Sequence, residues 1–307
     1  METLAYIIKY LSPSITYPTS VHIGRVFTRV AFDIGYGDDF LSEMKKGNII
    51  FSSGMPVSQR DKMVFKFPTP LDIITKSIRW IRKVKRFDRK LWKKNRYLEM
   101  EEIIKIKAEL ESSNLDGIRE IIGKLIADKE PNENTVGDYA SRSRAVGITH
   151  NKLSRKNLKS ENIFVNKVSV KSGTTLWFAI RTKDKSIDMI QDISKVIELV
   201  GIGGRRSIGM GKIKLKIIPE DNDVYNFISK NVRSGLLLSK AVITEDIRGV
   251  FSSETMNIIT RGGKAIGPIP VITEGSVVKN DVSGVNISLD KEIIPGKPFF
   301  IKYGGDD

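Results

Sequence analysis

A glycine-rich stretch, GIGGRRSIGMGKIKL over Gly201 to Leu215, limits the folds open to this chain. Before it, Ile187 to Val200 has apolar residues at helical spacing, and after it Lys212 to Ile218 alternates as a strand does. The order is helix, glycine loop, strand. A dinucleotide-binding fingerprint runs from strand to helix, and a mononucleotide P-loop ends in Gly-Lys-Ser/Thr, which is absent here. The pattern therefore excludes both nucleotide-binding folds.

The loop has two interpretations that the residues alone leave open. Glycines allow close approach to a ligand and expose backbone N–H groups, and Arg205 and Arg206 add positive charge, so the loop could hold a polyanion backbone. A tight turn between a helix and a strand would use the same glycines for geometry alone. The polyanion hypothesis predicts contacts from Gly203, Gly204, Arg205, Arg206, Ser207, Gly209, Gly211 and Lys212.

The charge balance indicates what kind of polyanion to expect. The 307 residues include 51 Lys and Arg against 36 Asp and Glu, a formal net charge of +15. An excess of this size favours nucleic acid or an anionic surface as the partner. The hydrophobic content of 40% supports buried cores in two domains. Nucleic acid is the first expectation.

Several functional classes find little support in the sequence. There is no cysteine, so neither a disulfide framework nor a thiolate zinc site can form, and His22 and His150 lie far apart. Carboxylate-held metal stays possible, with Asp38 and Asp39 as adjacent acids. The N-terminal apolar run is too short for a signal peptide or a membrane span. We expect a cytoplasmic protein with no membrane partner, no metal and no cofactor.

The element pattern predicts an α+β fold. TLAYIIKYL and GRVFTRVAFDI predict a strand and a helix, and IFVNKVSV, GTTLWFAIR and KSIDMIQDISKVIELV predict two strands and a helix ahead of the glycine loop. With the strand after that loop, the order is βαββαβ, which is ferredoxin-like. We expect an N-terminal ferredoxin-like domain over 1–219, with an insertion at about 51–160, and a smaller ferredoxin-like domain over 220–307.

The predicted insertion contains two basic segments. Asp72 to Tyr97 predicts an amphipathic, strongly basic helix. Its basic face could contact RNA, a membrane surface or an acidic protein partner, or could simply be solvated. Pro131 to Ser160 has no periodicity and predicts a long loop. Its charge favours RNA contact over a disordered insert. The candidate RNA-binding residues of this loop are Arg142, Arg144, Lys152 and Arg155.

The order of several short motifs resembles a known family. FSSGMPVSQRDKMVFKFPTPL, KKNRYLEMEEI, GIGGRRSIGMGKI, and then VITEGSVV and KPFFIKYG, follow one another across most of the chain. They are similar to stretches of the RAMP-superfamily, Cas5-like subunit that binds the crRNA 5′ handle in type III-A CRISPR (Csm) effector complexes, the fourth Csm subunit. Each motif is degenerate, so their order and spacing carry the resemblance.

The resemblance implies a pair of ferredoxin-like (RRM-like, RAMP) domains without chemistry of their own. Such a subunit binds the 5′ handle of crRNA, caps the backbone filament beside a neighbouring RAMP subunit, and docks the large polymerase-domain subunit for antiviral defence. The equivalent subunit of a Cmr-type or type III-D complex would fit the same motifs. His22 and Arg25, near the start of the first helix, join the candidate RNA contacts.

Two other classes stay open at this point. A guide-processing endoribonuclease of the same superfamily would need a general base such as His22 or His150, although a lone histidine near RNA is more often a hydrogen-bonding or stacking contact. A free-standing binder of structured RNA would share the charge but would need neither the insertion nor the second domain. The sequence thus predicts no catalytic residue.

Overall fold

The computed structural model describes residues 1–59, 62–81, 97–114, 116–118, 120–121, 147–153, 160–204, 206–260, 263–289 and 292–303. For residues 59, 78–81, 147–153, 160–167 and 208, only the backbone is described. None of the helices in these ranges is both long and apolar enough to cross a membrane.

Helices and strands alternate in the first two thirds of the chain, and strands dominate the last third. The helices are α1 Ser20–Asp33, α2 Gly37–Lys46, α3 Leu71–Ile81, α4 Met100–Glu111, α5 Ile187–Val200 and α6 Tyr225–Ile228. The strands are β1 Glu2–Tyr10, β2 Ile49–Phe51, β3 Met55–Gln59, β4 Met63–Pro68, β5 Tyr97–Glu99, β6 Gly147–Leu153, β7 Ser160–Lys167, β8 Thr175–Thr182, β9 Ile213–Ile217, β10 Gly235–Leu237, β11 Gly249–Val250, β12 Ser253–Ile259, β13 Ala265–Ile272, β14 Val277–Val278, β15 Ile287–Leu289, β16 Glu292–Ile294 and β17 Phe300–Ile301.

The helix ends follow local sequence rules. In α2, Asp38 and Asp39 occupy the first turn, the last turn is basic, and Gly47 closes the helix at φ 73°. Acids near the N-terminus and bases near the C-terminus both complement the helix dipole, and glycine adopts the left-handed end at no steric cost. In α4, Glu99 and Glu102 form a capping box at the N-terminus.

The main sheet has seven antiparallel strands around β1. Its order is β5-β4-β3-β8-β1-β9, and β2 also pairs with β8 on the same side as β3. The four strands of a ferredoxin-like sheet are therefore β1, the segment 49–59, β8 and β9, in chain order. Its two helices are α1 and α5. The α+β prediction is confirmed.

The prediction of the second ferredoxin-like strand was wrong. We placed it at IFVNKVSV, whereas β7 pairs with β6 in a separate hairpin and only Val170 bridges to Ser14. The strand beside β8 is the segment 49–59, most of which the sequence assigned to the insertion at about 51–160. Its bend between β2 and β3 hides the strand periodicity, and a proline cannot donate a ladder hydrogen bond.

The hairpin of β6 and β7 also corrects the predicted long loop. Residues 147–153 form a strand rather than loop. The remainder of that loop, 131–146 and 154–159, lies outside the described residues, as do residues 82–96 of the predicted basic helix. The first part of that helix is α3.

Both faces of the sheet are buried because strands β1 and β8 are apolar on both sides. Tyr6, Ile8 and Phe178 point into a core with α1, α2 and α5, and Tyr6 stacks on Phe178 with 5.2 Å between ring centroids. Ile7 and Trp177 point the other way, into a core with α4, α6 and parts of the last third of the chain. The period of two along a strand produces this division.

The last third forms a second sheet of order β11-β14-β10-β17, with hairpins β12–β13 and β15–β16 beside it. One short helix, α6, belongs to the described part of residues 220–303. The boundary at 219 between two domains stays a prediction.

The bend between β2 and β3 ties the second sheet to the first. The Ser53 hydroxyl accepts a hydrogen bond from the Ser20 N–H at 2.8 Å, at the start of α1, and is bonded to the Glu274 carboxylate. The Ser53 N–H donates to the Leu238 carbonyl at 2.8 Å. The start of α1 also packs closely against the last third of the chain. Position 24 must be glycine, since a Cβ there would lie 2.3 Å from Pro295 Cγ.

A buried arginine makes the second connection between the sheets. Arg181, at the end of β8, is 1% exposed and donates to the carbonyls of Ile228 and Lys230 at 3.0 and 2.6 Å. Its guanidinium lies 4.0 Å from the centroid of the Phe299 ring. Burial lowers the pKa of Arg181 to about 10, so the group keeps its charge at neutral pH. Carbonyl dipoles and a ring face stabilise the charge in place of a carboxylate.

We expect Arg181→Met to lower the free energy of unfolding by about 2–4 kcal/mol, because the carbonyls of Ile228 and Lys230 lose their charged donor. Urea unfolding measures the change. Arg233→Met is the matched control, since Arg233 is exposed. Equal effects of the two substitutions would contradict a connecting role for Arg181.

Candidate nucleic-acid interface

A groove of about 260 Å³ lies between α1 and the glycine loop. The ferredoxin-like order places the loop, which joins α5 to β9, beside the helix that follows β1. Residues nearly two hundred positions apart in the sequence therefore share one surface. We call it the α1 groove, and it is lined by Thr16, His22, Arg25, Val26, Thr28, Arg29, Phe32, Gly203, Gly204, Arg206, Glu292 and Ile293.

The charge of the α1 groove is positive on balance. Arg25, Arg29 and Arg206 line the groove, and Glu292 is the one acid among its lining residues. Arg25 is held in place, because its Nη2 donates to the Ile259 carbonyl at 2.8 Å and lies 3.3 Å from the Glu292 carboxylate. Three guanidinium groups beside one acid form a surface suited to phosphate oxygens.

Arg29 is the most adaptable of the three arginines. Its Nε lies 3.8 Å from an Asp33 carboxylate oxygen one helical turn away, and both side chains are about half exposed. An exposed pair of this kind contributes little to stability. Arg206, in contrast, donates from Nη1 to the Gly201 carbonyl at 3.3 Å and so closes its own loop.

Most glycines of the loop serve the chain's own packing. Gly201 and Gly211 have φ of 78° and 71°, and a Cβ on either would lie within 2.5 Å of a carbonyl oxygen of the facing loop segment. A Cβ on Gly203, at φ 130°, would lie 2.1 Å from Ser14 Oγ. These glycines let the loop fold back on itself and against the end of β1. The turn interpretation accounts for these three positions.

Gly204 and Gly209 differ from the other three. Gly204 lines the α1 groove and has no positive φ, and a Cβ there would meet Ile15 Cδ1 at 2.9 Å. Gly209 is exposed at φ 82°, with no atom within 4 Å of a Cβ. The loop therefore combines a tight turn with an exposed backbone surface.

The predicted site residues fall into three groups. His22, Arg25, Gly203, Gly204 and Arg206 meet in the α1 groove. Elsewhere on the loop, Ser207, Gly209 and Lys212 are exposed and Gly211 is buried. The third group lies outside the described residues or has only its backbone described, and contains Arg142, Arg144, Arg155 and Arg205, and Lys152 on β6.

Sequence reasoning missed Arg29, Phe32 and Thr16 as groove residues. Counted from His22, Arg25, Arg29 and Phe32 follow at spacings of three, seven and ten, which places all four on one stripe of α1. Helical periodicity could have found them. Nothing in the sequence signals Thr16, which reaches the groove because its N–H bonds to Ser14 Oγ at 3.2 Å.

His22 is neutral at pH 7. Loss of hydration lowers the pKa of His22 to about 4, with the positive charges of Lys240 and Arg25 adding to the effect. The hydroxyl of Thr19 lies 2.7 Å from His22 Nδ1 and fixes the ring. A neutral imidazole can hydrogen-bond to RNA but adds no charge to the groove.

No cluster of three or more metal-ligating side chains occurs among the residues that the structure describes. Asp38 and Asp39 lie in the first turn of α2, where they stabilise the helix.

Comparison with known proteins identifies the fold. No family model matches the chain. A curated relative, the CRISPR system Cms protein Csm4 of Methanocaldococcus jannaschii, is 29% identical over 38% of this chain. The match spans about a third, 35%, of that relative's length.

Two solved structures match almost all of the chain. A chain of the crystal structure of the Csm3-Csm4 subcomplex in the type III-A CRISPR-Cas interference complex aligns with a TM-score of 0.62 and 18% identity, covering 98% of this chain and 100% of its own. A chain of the Csm1-Csm4 cassette in complex with one ATP aligns with a TM-score of 0.55 and 13% identity, covering 99% and 100%. Csm4 is common to the relative and both structures.

The chain is Csm4-like in fold. The resemblance that the order of motifs predicted is thereby confirmed. Two of the motifs have a clear place in this fold. FSSG forms the bend at Ser53, and the glycine loop forms one wall of the α1 groove.

The lowered pKa of His22 makes folding sensitive to acid. Its folded pKa, about 4, lies below its ordinary value of 6.5, so only the unfolded chain takes up a proton between these values. This contribution to stability is present above pH 6.5 and is lost as the pH falls toward 4. We expect His22→Gln to reduce that loss.

Urea unfolding of both proteins at about pH 7 and about pH 4.5 measures the effect, and other titrating groups cancel in the difference. The stability of His22→Gln relative to the unaltered chain should rise as the pH falls. A difference that stays constant with pH would contradict the lowered pKa.

Proposed function

We propose that the chain is a Csm4-type subunit of a type III CRISPR RNA-guided effector complex and that it binds the 5′ handle of crRNA in the α1 groove. The observation that carries this proposal is the meeting of three arginines and the glycine loop in one groove on a Csm4-like fold. Guanidinium groups and backbone N–H groups bind phosphates, which every RNA presents along its backbone.

The lining of the α1 groove favours a single-stranded segment over a duplex. Phe32, Val26 and Ile293 give the groove an apolar part beside the arginines. An unpaired nucleotide offers a base for the apolar part and a phosphate for the charged part, whereas a duplex hides its bases. The net charge of +15 would speed association with any RNA.

We infer that the subunit is non-catalytic. Metal-free RNA cleavage needs a general base and a general acid near the scissile bond, and a base is most effective when its pKa lies near the working pH. Among the described groove residues, the candidates are His22, with a pKa of about 4, and Glu292, which is paired with Arg25. Both are poorly suited to this chemistry, so the guide-processing nuclease is the weaker alternative.

The proposed partners follow from the solved assemblies. The matched structures contain Csm4 with Csm3 in one case and with Csm1 in the other. We propose that this chain likewise docks a large polymerase-domain subunit and a neighbouring RAMP subunit of the backbone. On the basis of these matches, we propose subtype III-A for the complex rather than the related Cmr-type or III-D forms.

We expect Arg29→Ala to weaken binding of a handle-bearing repeat RNA by about tenfold or more, because it removes one charge-assisted phosphate contact. The slope of log affinity against log salt should fall by about 0.7, the value for one phosphate on a single strand. Fluorescence anisotropy at several salt concentrations measures both quantities, and the melting temperature should not change because Arg29 makes only an exposed ion pair.

Arg248→Ala is the matched control for net charge, because Arg248 is exposed in the second sheet region and does not line the α1 groove. It should leave the affinity near that of the unaltered chain. Equal losses for Arg29→Ala and Arg248→Ala would show general charge attraction and contradict a site in the groove. Cleavage of the RNA that His22→Ala abolishes would support the nuclease instead.

A further inference from the structure

A second groove, of about 430 Å³, lies between α4, α6 and the end of the described chain. It is on the other side of the main sheet from the α1 groove, since α4 and α6 pack in the core formed by Ile7 and Trp177. We call it the α4 groove, and it is lined by Met100, Ile104, Lys107, Ala108, Glu111, Asn226, Phe227, Lys230, Lys302 and Tyr303.

One wall of the α4 groove is an apolar stripe of α4. Met100, Ile104 and Ala108 follow each other at a spacing of four, so they form a single line along the helix. Ile104 is 53% exposed, although it is apolar and lies in the middle of the helix. Phe227 and Tyr303 supply the opposite wall. A helix stripe facing aromatic side chains across a groove is the surface that amphipathic helices bind.

The rim of the α4 groove is positively charged. Lys107, Lys230 and Lys302 surround it, against the single carboxylate of Glu111. Lys107 Nζ lies 4.7 Å from the centroid of the Tyr303 ring and 3.6 Å from Glu111. The groove therefore complements a ligand that is apolar in its centre and acidic at its edges.

We propose that the α4 groove binds an acidic amphipathic helix of a partner protein. This inference rests on the proposed role of the chain as a subunit of a larger assembly. Leucine-like side chains of the partner helix would contact Met100, Ile104 and Phe227, and its acids would lie beside the lysines. Because the two grooves are on opposite sides of the sheet, RNA and the helix bind at the same time.

The lining favours a protein helix over RNA. The charges come from lysines, which cannot form the planar bidentate contacts of arginine to phosphate. The walls are helical side chains rather than exposed backbone N–H groups. The Tyr303 hydroxyl is bonded to the Asp72 carboxylate at 2.9 Å, so this aromatic edge is already occupied.

The test uses the full chain and a fluorescein-labelled peptide of about 15 residues, with leucines at helical spacing on one face and glutamates elsewhere. A second peptide carries lysine at every glutamate position. Fluorescence anisotropy should detect binding of the glutamate peptide only. Saturating handle RNA should not displace it.

Two variants assign the binding to the α4 groove. Ile104→Ser removes the exposed apolar contact and Lys230→Glu reverses a rim charge, and each should weaken peptide binding by about tenfold or more. Their matched controls are Leu199→Ser, an exposed leucine on α5, and Lys279→Glu, an exposed lysine of the second sheet region. Both controls should bind the peptide like the unaltered chain, and no variant should change RNA affinity by more than the net charge explains.

The inference would be overturned if the glutamate peptide did not bind or if the lysine peptide bound equally well. Equal affinities for variants and controls would overturn it as well. Displacement by RNA would overturn it too, in favour of a second RNA site. Peptide binding without handle binding would leave the inference standing and refute the proposed handle-binding function, so the two failures are distinguishable.

Discussion

The Ser53 hydroxyl joins three parts of the chain at one point, and the position of the α1 groove depends on it. It accepts from the first N–H of α1 and bonds to Glu274, while the Ser53 backbone donates to Leu238. The strand beside β8, the start of α1 and the second sheet are thus fixed relative to one another. Since α1 carries Arg25 and Arg29, this junction fixes two of the three groove arginines in front of the glycine loop.

The main sheet separates two surfaces of different chemistry. On the side of Tyr6 and Phe178, three arginines and the glycine loop line a groove suited to phosphates. On the side of Ile7 and Trp177, an apolar helix stripe with a lysine rim is suited to an acidic helix. The proposed function requires the chain to hold nucleic acid and protein at once, and a sheet buried on both faces allows this without overlap.

The sequence could predict those features that rest on local periodicity. Apolar spacing predicts strands β1 and β8 and helices α1 and α5, and glycine content predicts the glycine loop. Together these elements predict the α+β class. The sequence could not place the second strand, because the bend at Ser52 to Gly54 serves tertiary contacts and interrupts the alternation. Nor could it separate Gly203, where a Cβ would clash with Ser14, from Gly209, where a Cβ would meet no atom within 4 Å. That difference depends on which segment the fold brings beside the loop.

The central claim is that handle RNA lies between α1 and the glycine loop. Photo-crosslinking of the full chain to a repeat RNA carrying 4-thiouridine in its handle, followed by mass spectrometry of the adducts, tests it most directly. The account predicts adducts on α1, over residues 20–33, and on the loop at 201–212. Adducts confined to the second sheet, or to the α4 groove, would contradict it.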